Sequence, residues 1–132
     1  MIGGQLQKAI FAVLTATPAV AGGRVYDNPP SPDARVFPDV TLGTEQVVED
    51  GDSCGDGWEV YFDVHVWSRS KSGSKLEAKN IAADIAERMK APLWLPAFTV
   101  IEQKAEGCRT LDDPDGITRH AVLTFKFIID PA

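Results

Sequence analysis

Hydrophobic and polar residues alternate along the stretch from Trp58 to Trp67, which is the most regular pattern in the chain. Five apolar residues spaced two apart run from Trp58 to Val66. A period of two residues puts alternate side chains on opposite faces of a β-strand, so this stretch predicts a half-buried strand. The positions that face away from the apolar series hold Glu59, Tyr61, Asp63, His65 and Trp67.

A second periodic stretch follows and predicts a helix. Apolar residues recur at helical spacing from Ala78 to Met89 and form one stripe. Ser74 and Glu77 match a capping box, in which each side chain satisfies a backbone N–H at the start of a helix. Pro92 ends the segment because proline removes a helical hydrogen bond. We therefore expect a strand and a helix that bury their apolar sides against each other.

Weaker patterns predict the remaining elements. Helically spaced apolar residues predict a first helix over Gln5–Thr15, which we interpret as an amphipathic helix rather than a secretion signal. The order helix, strands, helix, strands predicts a single α+β domain over residues 1–132, with a mostly antiparallel sheet and two helices packed on one face. Further extended segments are predicted at Arg24–Tyr26, at Phe37–Gly43 with continuation toward Val48, at Leu95–Glu106 and at Ile117–Asp130.

Composition narrows the class of protein. The 132 residues are 44% hydrophobic and carry a formal net charge of −6, with a sequence pI near 4.8. This acidity argues against nucleic-acid binding, which usually needs a basic patch. No apolar run approaches the ~18 residues of a membrane span, so we expect no membrane association. Two cysteines are too few for a disulfide framework, and we expect free thiols in a reducing compartment.

The sequence contains none of the short motifs HExxH, GxxxxGK[ST] or GxGxxG. We therefore expect no enzymatic activity, no cofactor and no metal. A zinc site built from both histidines and both cysteines is the alternative, but the ligands are widely spaced and no CxxC pair is present. The Asp-rich segments around Gly51 and Gly116 lack the ligand spacing of a calcium loop, and turn chemistry accounts for the second.

Three aromatic residues are candidates for a subunit or partner interface. Tyr61 and Trp67 lie on the strand face opposite the apolar series, and Trp94 lies between two prolines. Tyr and Trp are enriched in the cores of protein interfaces, which favours a partner surface. The alternative is a sheet covered on both faces by its own chain. Acidic residues of the glycine-rich segment Glu49–Gly57 complete the candidate set: Asp50, Asp52 and Asp56.

Several stretches, taken in their order, resemble the small tail-completion (tail terminator) proteins of long-tailed bacteriophages, prophages and gene transfer agents. The most specific are CGDGWEVYFDVHVWSR and DPDGITRHAVLTF, supported by GGRVYDNPP, FPDVTLG and EAKNIAADI. The resemblance implies a non-enzymatic α+β subunit that forms a hexameric ring. Such a ring caps the tail tube and joins it to head-tail connector or stopper proteins. The family offers no catalytic residues to carry over.

This resemblance implies a location and a set of partners. The protein would assemble in the bacterial host cytoplasm and reside in the virion, at the head-proximal end of the tail. A ring needs lateral surfaces for neighbouring copies and axial loops for the tube and the connector, and Glu49–Gly57 and Asp27–Asp33 are candidates for these loops. DNA would pass through the ring without specific binding, which the net charge of −6 favours.

Two other functions remain open from the sequence. One is a head-side connector or stopper ring, and the other is a small cytoplasmic enzyme or ligand-binding domain that uses His65 or His120. If Trp67 is an interface anchor, Trp67→Ala should weaken assembly by ~2 kcal/mol or more and leave the monomer folded. Phe62→Ala or Phe125→Ala should reduce fold stability by ~3–5 kcal/mol if these rings are buried.

Overall fold

In the computed structural model, residues 2–49 and 57–132 are described, and they form two α-helices, a short 3-10 helix and five strands. The predicted order of helices and strands is confirmed. The candidate residues Asp50, Asp52 and Asp56 lie outside the described residues, as does Cys54. The elements are α1 (Ile2–Thr15), the 3-10 helix (Val20–Gly23), β1 (Val25–Tyr26), β2 (Asp39–Glu49), β3 (Trp58–Ser68), α2 (Leu76–Arg88), β4 (Phe98–Asp112) and β5 (Arg119–Pro131).

The five strands form one sheet in the order β1-β2-β3-β5-β4. Only the short pairing of β1 with β2 is parallel, and all other neighbours are antiparallel. The predicted α+β class with a mostly antiparallel sheet is therefore confirmed. β5 follows β4 along the chain but lies between β3 and β4, so the two central strands are β3 and β5.

One face of the sheet carries the core and both helices. The apolar series of β3 is buried, and Phe62 lies opposite Phe125 of β5 in the sheet. Both helices bury a stripe against this face, as the sequence predicts, because their apolar residues recur on one side. The largest fully buried side chains include Phe62, Phe125, Phe127, Leu6, Ile10, Leu14 and Ile85.

The start of α2 differs from the prediction. The capping box between Ser74 and Glu77 is wrong, because the Glu77 carboxylate instead accepts a 2.6 Å hydrogen bond from the Ser68 hydroxyl at the end of β3. The Ser74 hydroxyl accepts a 3.0 Å hydrogen bond from the backbone N–H of Leu76. The helix begins at Leu76, and Glu77 joins it to the buried end of the neighbouring strand. A tertiary partner therefore replaces the local one.

The C-terminal end of α1 is closed by a side chain from α2. The Arg88 guanidinium donates hydrogen bonds to the carbonyls of Val13 (3.1 Å) and Ala16 (3.0 Å), and also to the carbonyl of Pro18. The last carbonyls of a helix have no partner within it, so a cation at this end is favourable. Arg88 therefore connects the two helices through polar contacts in addition to their apolar packing.

The strand predicted over Leu95–Glu106 begins later and ends later than expected. β4 runs from Phe98 to Asp112 and contains two β-bulges, one between Val100 and Glu102 and one between Ala105 and Gly107. Each bulge shifts the alternation by one residue, which hides the strand from a period-two pattern. Neither described helix is long and apolar enough to cross a membrane.

Candidate functional site

The sheet face opposite the helices carries the two aromatic residues predicted on β3. Tyr61, Asp63, His65 and Trp67 point to this face and are half-buried. We call it the open face, defined by these residues and by their neighbours on β5, from His120 to Ile128. The sequence correctly groups Tyr61 with Trp67, because alternate residues of a strand share a face. The contacts of Tyr61 and Trp67 are made partly by other strands and by the segment between β1 and β2, which the alternation does not predict.

Trp67 lies within a stack of rings and a cation. Its indole ring is stacked on the His120 imidazole with a centroid distance of 3.7 Å, and the Arg35 guanidinium lies 5.1 Å from its centroid. The indole N–H donates a 3.0 Å hydrogen bond to the Thr41 hydroxyl of β2. Aromatic stacking and cation–π contact each stabilise such an arrangement. The indole is therefore held within its own subunit.

The segment between β1 and β2 covers this end of the open face. Arg35 forms a two-point ion pair with Asp39, with distances of 2.6 and 2.8 Å, and the Asp39 side chain is fully buried. The Phe37 ring lies between two guanidinium groups, those of Arg35 (4.8 Å) and Arg69 (4.4 Å). We call the residues Arg35, Phe37, Trp67, His65 and His120 the aromatic stack. One end of the sheet is thus covered on both faces.

A direct hydrogen bond joins the two histidines. His65 Nδ1 lies 2.8 Å from His120 Nε2, and the rings are stacked at 5.0 Å. The pKa of His120 is lowered to about 4, chiefly by burial and then by His65, Arg109 and Arg35, while Asp113 acts in the opposite direction. The pKa of His65 is also lowered, chiefly by burial. Both imidazoles are therefore neutral at pH 7.

The alternative zinc site can be compared with the positions of its ligands. His65 and His120 are adjacent, but Cys108 lies opposite Leu123, a core residue, and not beside the histidines. Within residues 2–49 and 57–132, no three His, Cys, Asp or Glu side chains are grouped as a metal site would require. Burial raises the pKa of the Cys108 thiol.

Tyr61 occupies the other half of the open face. Its hydroxyl donates a hydrogen bond to the Glu59 carboxylate, which lies 3.7 Å from the Lys126 ammonium. The hydrogen bond to Glu59 and the negative charge around it raise the pKa of Tyr61. Beside it, the Thr124 hydroxyl donates a 2.6 Å hydrogen bond to Asp63. This half of the face is a polar, mixed-charge surface.

The turn between β4 and β5 borders the aromatic stack. Asp115 accepts hydrogen bonds from the hydroxyl and the backbone N–H of Thr118, and these contacts lower the pKa of Asp115 to about 2. Arg69 donates to Thr118 (2.8 Å) and to Asp115 (3.3 Å) while it lies over Phe37. The turn predicted at Asp112–Gly116 is thereby connected to the segment that covers Trp67.

Trp94 is far more exposed than Trp67. It belongs to the connection between α2 and β4 and is 78% exposed, whereas its neighbours Leu93 and Leu95 are buried. The structure therefore separates the three aromatic candidates: Tyr61 and Trp67 share the open face, and Trp94 does not belong to it. The sequence gives no sign of Arg35 and Phe37 in the stack, because they lie in a proline-rich segment without periodicity.

A groove on the helix side of the sheet was also missed by sequence reasoning. It has a volume of about 730 Å³ and lies between the start of α1 and the strands β2, β3 and β4. Acidic residues Asp27 and Glu45 stand at its border. Burial raises the pKa of Glu45. The apolar and small residues that line the groove include Ile2, Gly4, Val47, Trp58, Phe62 and Phe98.

Comparison with known proteins finds relatives over nearly the full length. The sequence profile of the family described as tail completion protein gp17 matches residues 8–130. The tail completion protein gp17 of Bacillus phage SPP1 is 25% identical over 95 residues, which cover 71% of this chain and 69% of that protein.

Solved structures agree with the sequence comparison. A chain from the virion of a native gene transfer agent particle superposes with a TM-score of 0.85 at 26% identity, over 99% of this chain and 98% of that one. The structure of bacteriophage SPP1 gp17 superposes with a TM-score of 0.59 at 22% identity, over 96% of this chain and 89% of that one. The second similarity concerns the fold alone.

Proposed function

The chain belongs to the tail completion protein gp17 family, and we propose that it closes the head-proximal end of a virion tail as a hexameric ring. The protein is a tail completion component of the virion. In the proposed ring, one axial side caps the tail tube protein and the other receives the head-tail connector or stopper proteins. The protein acts by shape and self-association and catalyses no reaction.

The observation that carries this proposal is the superposition on a chain of the gene transfer agent virion. Its TM-score of 0.85 extends over 99% of this chain and 98% of that one. The shared unit is therefore the whole α+β fold described above, including both helices and all five strands. A role in the particle must then reside in the surfaces of this fold.

The polar groups of the open face support a structural role. His65 and His120 bind each other, Tyr61 binds Glu59, and Thr124 binds Asp63. Each of these groups is therefore held in place by a neighbour on the same face. Such mutual pairing stabilises a surface.

The charge of the chain supports passage of DNA without specific binding. Each copy carries a formal net charge of −6, so every copy added to a ring increases the total negative charge. Phosphates are repelled by such a charge over roughly 8–10 Å at physiological ionic strength. A ring with this charge would let DNA pass and would not retain it.

Deletion of the gene in a particle-producing strain tests the role. We expect overlong or headless tails in the deletion strain, with normal tails restored by the wild-type gene supplied separately. Native mass spectrometry of the complex released from purified tails should give six copies. Filled heads that leak DNA, with tails of normal length, would instead indicate a head-side connector or stopper ring.

A further inference from the structure

Within residues 2–49 and 57–132, two edges of the sheet have no neighbouring strand at the same end of the molecule. β1 pairs only with Val40 and Thr41, so the segment Thr44–Glu49 of β2 has no outer neighbour among the described strands. β4 is the outermost strand on the opposite side. Val47 of β2 is paired across the sheet, through one residue each of β3 and β5, with Gln103 of β4. Both free edges therefore lie at the same height along the strands. Free edges are templates for pairing with another chain.

The strand directions allow these edges to pair with each other in different copies. Each step from β2 through β3 and β5 to β4 is antiparallel, so β2 and β4 run in opposite directions. When two copies share the same orientation, β4 of one copy therefore lies antiparallel beside β2 of the next. The sheet would continue across the contact with the hydrogen-bond pattern that it already has.

The groove adjoins the free part of β2. Val47, which is 41% exposed, contributes to the groove, and Gly4 at the start of α1 lines it from the helix side. Trp58 and Phe98 add aromatic rings that pack edge to face at 5.5 Å. The groove is mainly apolar and therefore gains from an apolar occupant.

A projecting aromatic residue adjoins the other free edge. Trp94 has the largest exposed fraction of the large apolar side chains described here. Its buried neighbours Leu93 and Leu95 fix the backbone, and Leu95 forms a bridge with Phe98 at the start of β4. Leu93 and Leu95 join the core that both helices share, so the connection carrying Trp94 lies on the helix side of the sheet. The groove lies on that side as well.

Charge is complementary between the two regions. Lys90 is the one charged residue between the end of α2 and the start of β4. Its ammonium lies 2.8 Å from the carboxylate of Glu87 in α2, and the two side chains are 73% and 72% exposed. The border of the groove carries the carboxylates of Asp27 and Glu45. Because the pair of Lys90 with Glu87 is exposed and therefore weak, Lys90 can exchange Glu87 for a carboxylate of the receiving side, and this exchange sets the orientation of the contact.

We propose that the groove is filled by a second copy of this chain, with Trp94 of one subunit inserted between α1 and β2 of the next. β4 of the inserting subunit lies along Thr44–Glu49, and Lys90 approaches Glu45. The two contacting surfaces are different, so the contact is head-to-tail and repeats around a closed ring. This contact deepens the proposed function and rests on it.

Cross-linking in assembled tails tests the contact directly. In a Cys54→Ser, Cys108→Ser background, two differently tagged copies are co-expressed in the deletion strain, one with Ala97→Cys, which keeps Trp94 in place, and the other with Gly4→Cys. Ala97 is exposed and lies in the same connection as Trp94. A short bismaleimide added to purified tails should join the two tags. Each variant expressed alone should give no cross-linked dimer, because the two positions meet only between different surfaces.

A substitution that fills the groove tests the same contact on the receiving subunit. A Cβ at Gly4 would meet no atom within 4 Å, and the position is helical, so Gly4→Leu should fold and place its side chain in the groove. We expect Gly4→Leu and Trp94→Ala each to weaken self-association by about 30-fold or more, measured by sedimentation velocity. Ile117→Ala is the matched control, because Ile117 is 56% exposed but lies at the opposite end of the sheet, and it should assemble as the wild type does.

The outcomes separate the contact from the function. The contact would be overturned, and the ring function would stand, if the tails formed but the two different tags were not cross-linked. A cross-link between two copies that both carry Ala97→Cys would overturn it as well. Wild-type-like assembly of both Gly4→Leu and Trp94→Ala would overturn it too. If the wild-type protein enters no tails, the proposed function fails, and this contact fails with it.

Discussion

Trp67 shows how one side chain can belong to a surface and still stabilise its own subunit. The indole contacts three elements: the β1–β2 segment through Arg35, β2 through Thr41, and β5 through His120. Its position on the strand follows from the alternation of the sequence. Its partners do not, because they come from residues distant along the chain that the folded sheet brings together.

Replacing Trp67 should therefore affect the monomer as well as any interface. We expect Trp67→Ala to lower the free energy of unfolding by about 2–3 kcal/mol, since it removes a half-buried ring together with the contacts that this ring makes to its stacking partners. Trp94→Ala is the matched control and should change this free energy by less than ~0.5 kcal/mol, because the ring is exposed. Urea unfolding monitored by circular dichroism measures both. Equal effects of the two substitutions would show that the stack contributes nothing.

The histidine pair makes stability depend on pH in a defined direction. The pKa of His120 is lowered from its ordinary 6.5 to about 4 in the folded protein, so between these values the unfolded chain binds more protons. The contribution of His120 is therefore complete above about pH 6.5 and is lost progressively as the pH falls toward 4. Urea midpoints measured from pH 7.5 to 4.5 should decrease.

A variant without the second imidazole provides the control for this pH dependence. In His120→Gln, the decrease between pH 6.5 and 4.5 should be smaller than in the wild type, because one group with a lowered pKa is absent. The neighbouring charges of Arg35, Arg109 and Asp113 are unchanged in this variant. An unchanged decrease would show that other groups cause the pH dependence.

The strand β4 is difficult to recognise from its sequence. Its two bulges displace the alternation, and its residues are mostly exposed, so the pattern is weaker than that of β3 or β5. Gln103 is the exception, because its side chain turns toward the helices. Its amide N–H groups donate to the carbonyls of Met89 (2.6 Å) and Ala91 (2.9 Å), and its oxygen accepts from the Leu93 N–H (3.0 Å).

The Gln103 side chain should therefore stabilise the backbone of the connection between α2 and β4. We expect Gln103→Ala to lower the free energy of unfolding by about 1–3 kcal/mol, since it leaves backbone groups without partners. Gln103→Glu should lower it further, because a carboxylate would face two carbonyl oxygens. Lys104→Ala, next along the strand and half exposed, is the control and should stay within ~0.5 kcal/mol. Comparable losses in Gln103→Ala and Lys104→Ala would contradict the assignment.

The regular elements could be predicted because their periodicity records burial on one face. β3, β5 and both helices follow from this rule, and their predicted apolar residues form the core. The capping box failed because the hydroxyl of Ser68, which is buried at the end of β3, donates a hydrogen bond to the Glu77 carboxylate. The groove could not be predicted, since its lining comes from α1 and three strands.

The molecule as a whole depends on one shared core, and its centre should be sensitive to truncation. Phe62 and Phe125 face each other across the two central strands and are 2% and 1% exposed. We expect Phe62→Ala or Phe125→Ala to lower the free energy of unfolding by about 3–5 kcal/mol. Phe11→Ala, at a ring that is 44% exposed, is the control and should cost about 1 kcal/mol or less. Chemical denaturation of the three variants measures these values.

The position of β5 between β3 and β4 has a consequence for how the chain is made. The ribosome releases β4 before β5, its neighbour in the sheet, exists. Until Arg119–Pro131 is synthesised, β3 is therefore paired on one side and β4 on neither. A nascent or prematurely terminated polypeptide that stops short of this strand lacks the middle of its sheet. Such fragments would be substrates for proteolysis and not for incorporation, which keeps defective copies out of the growing particle.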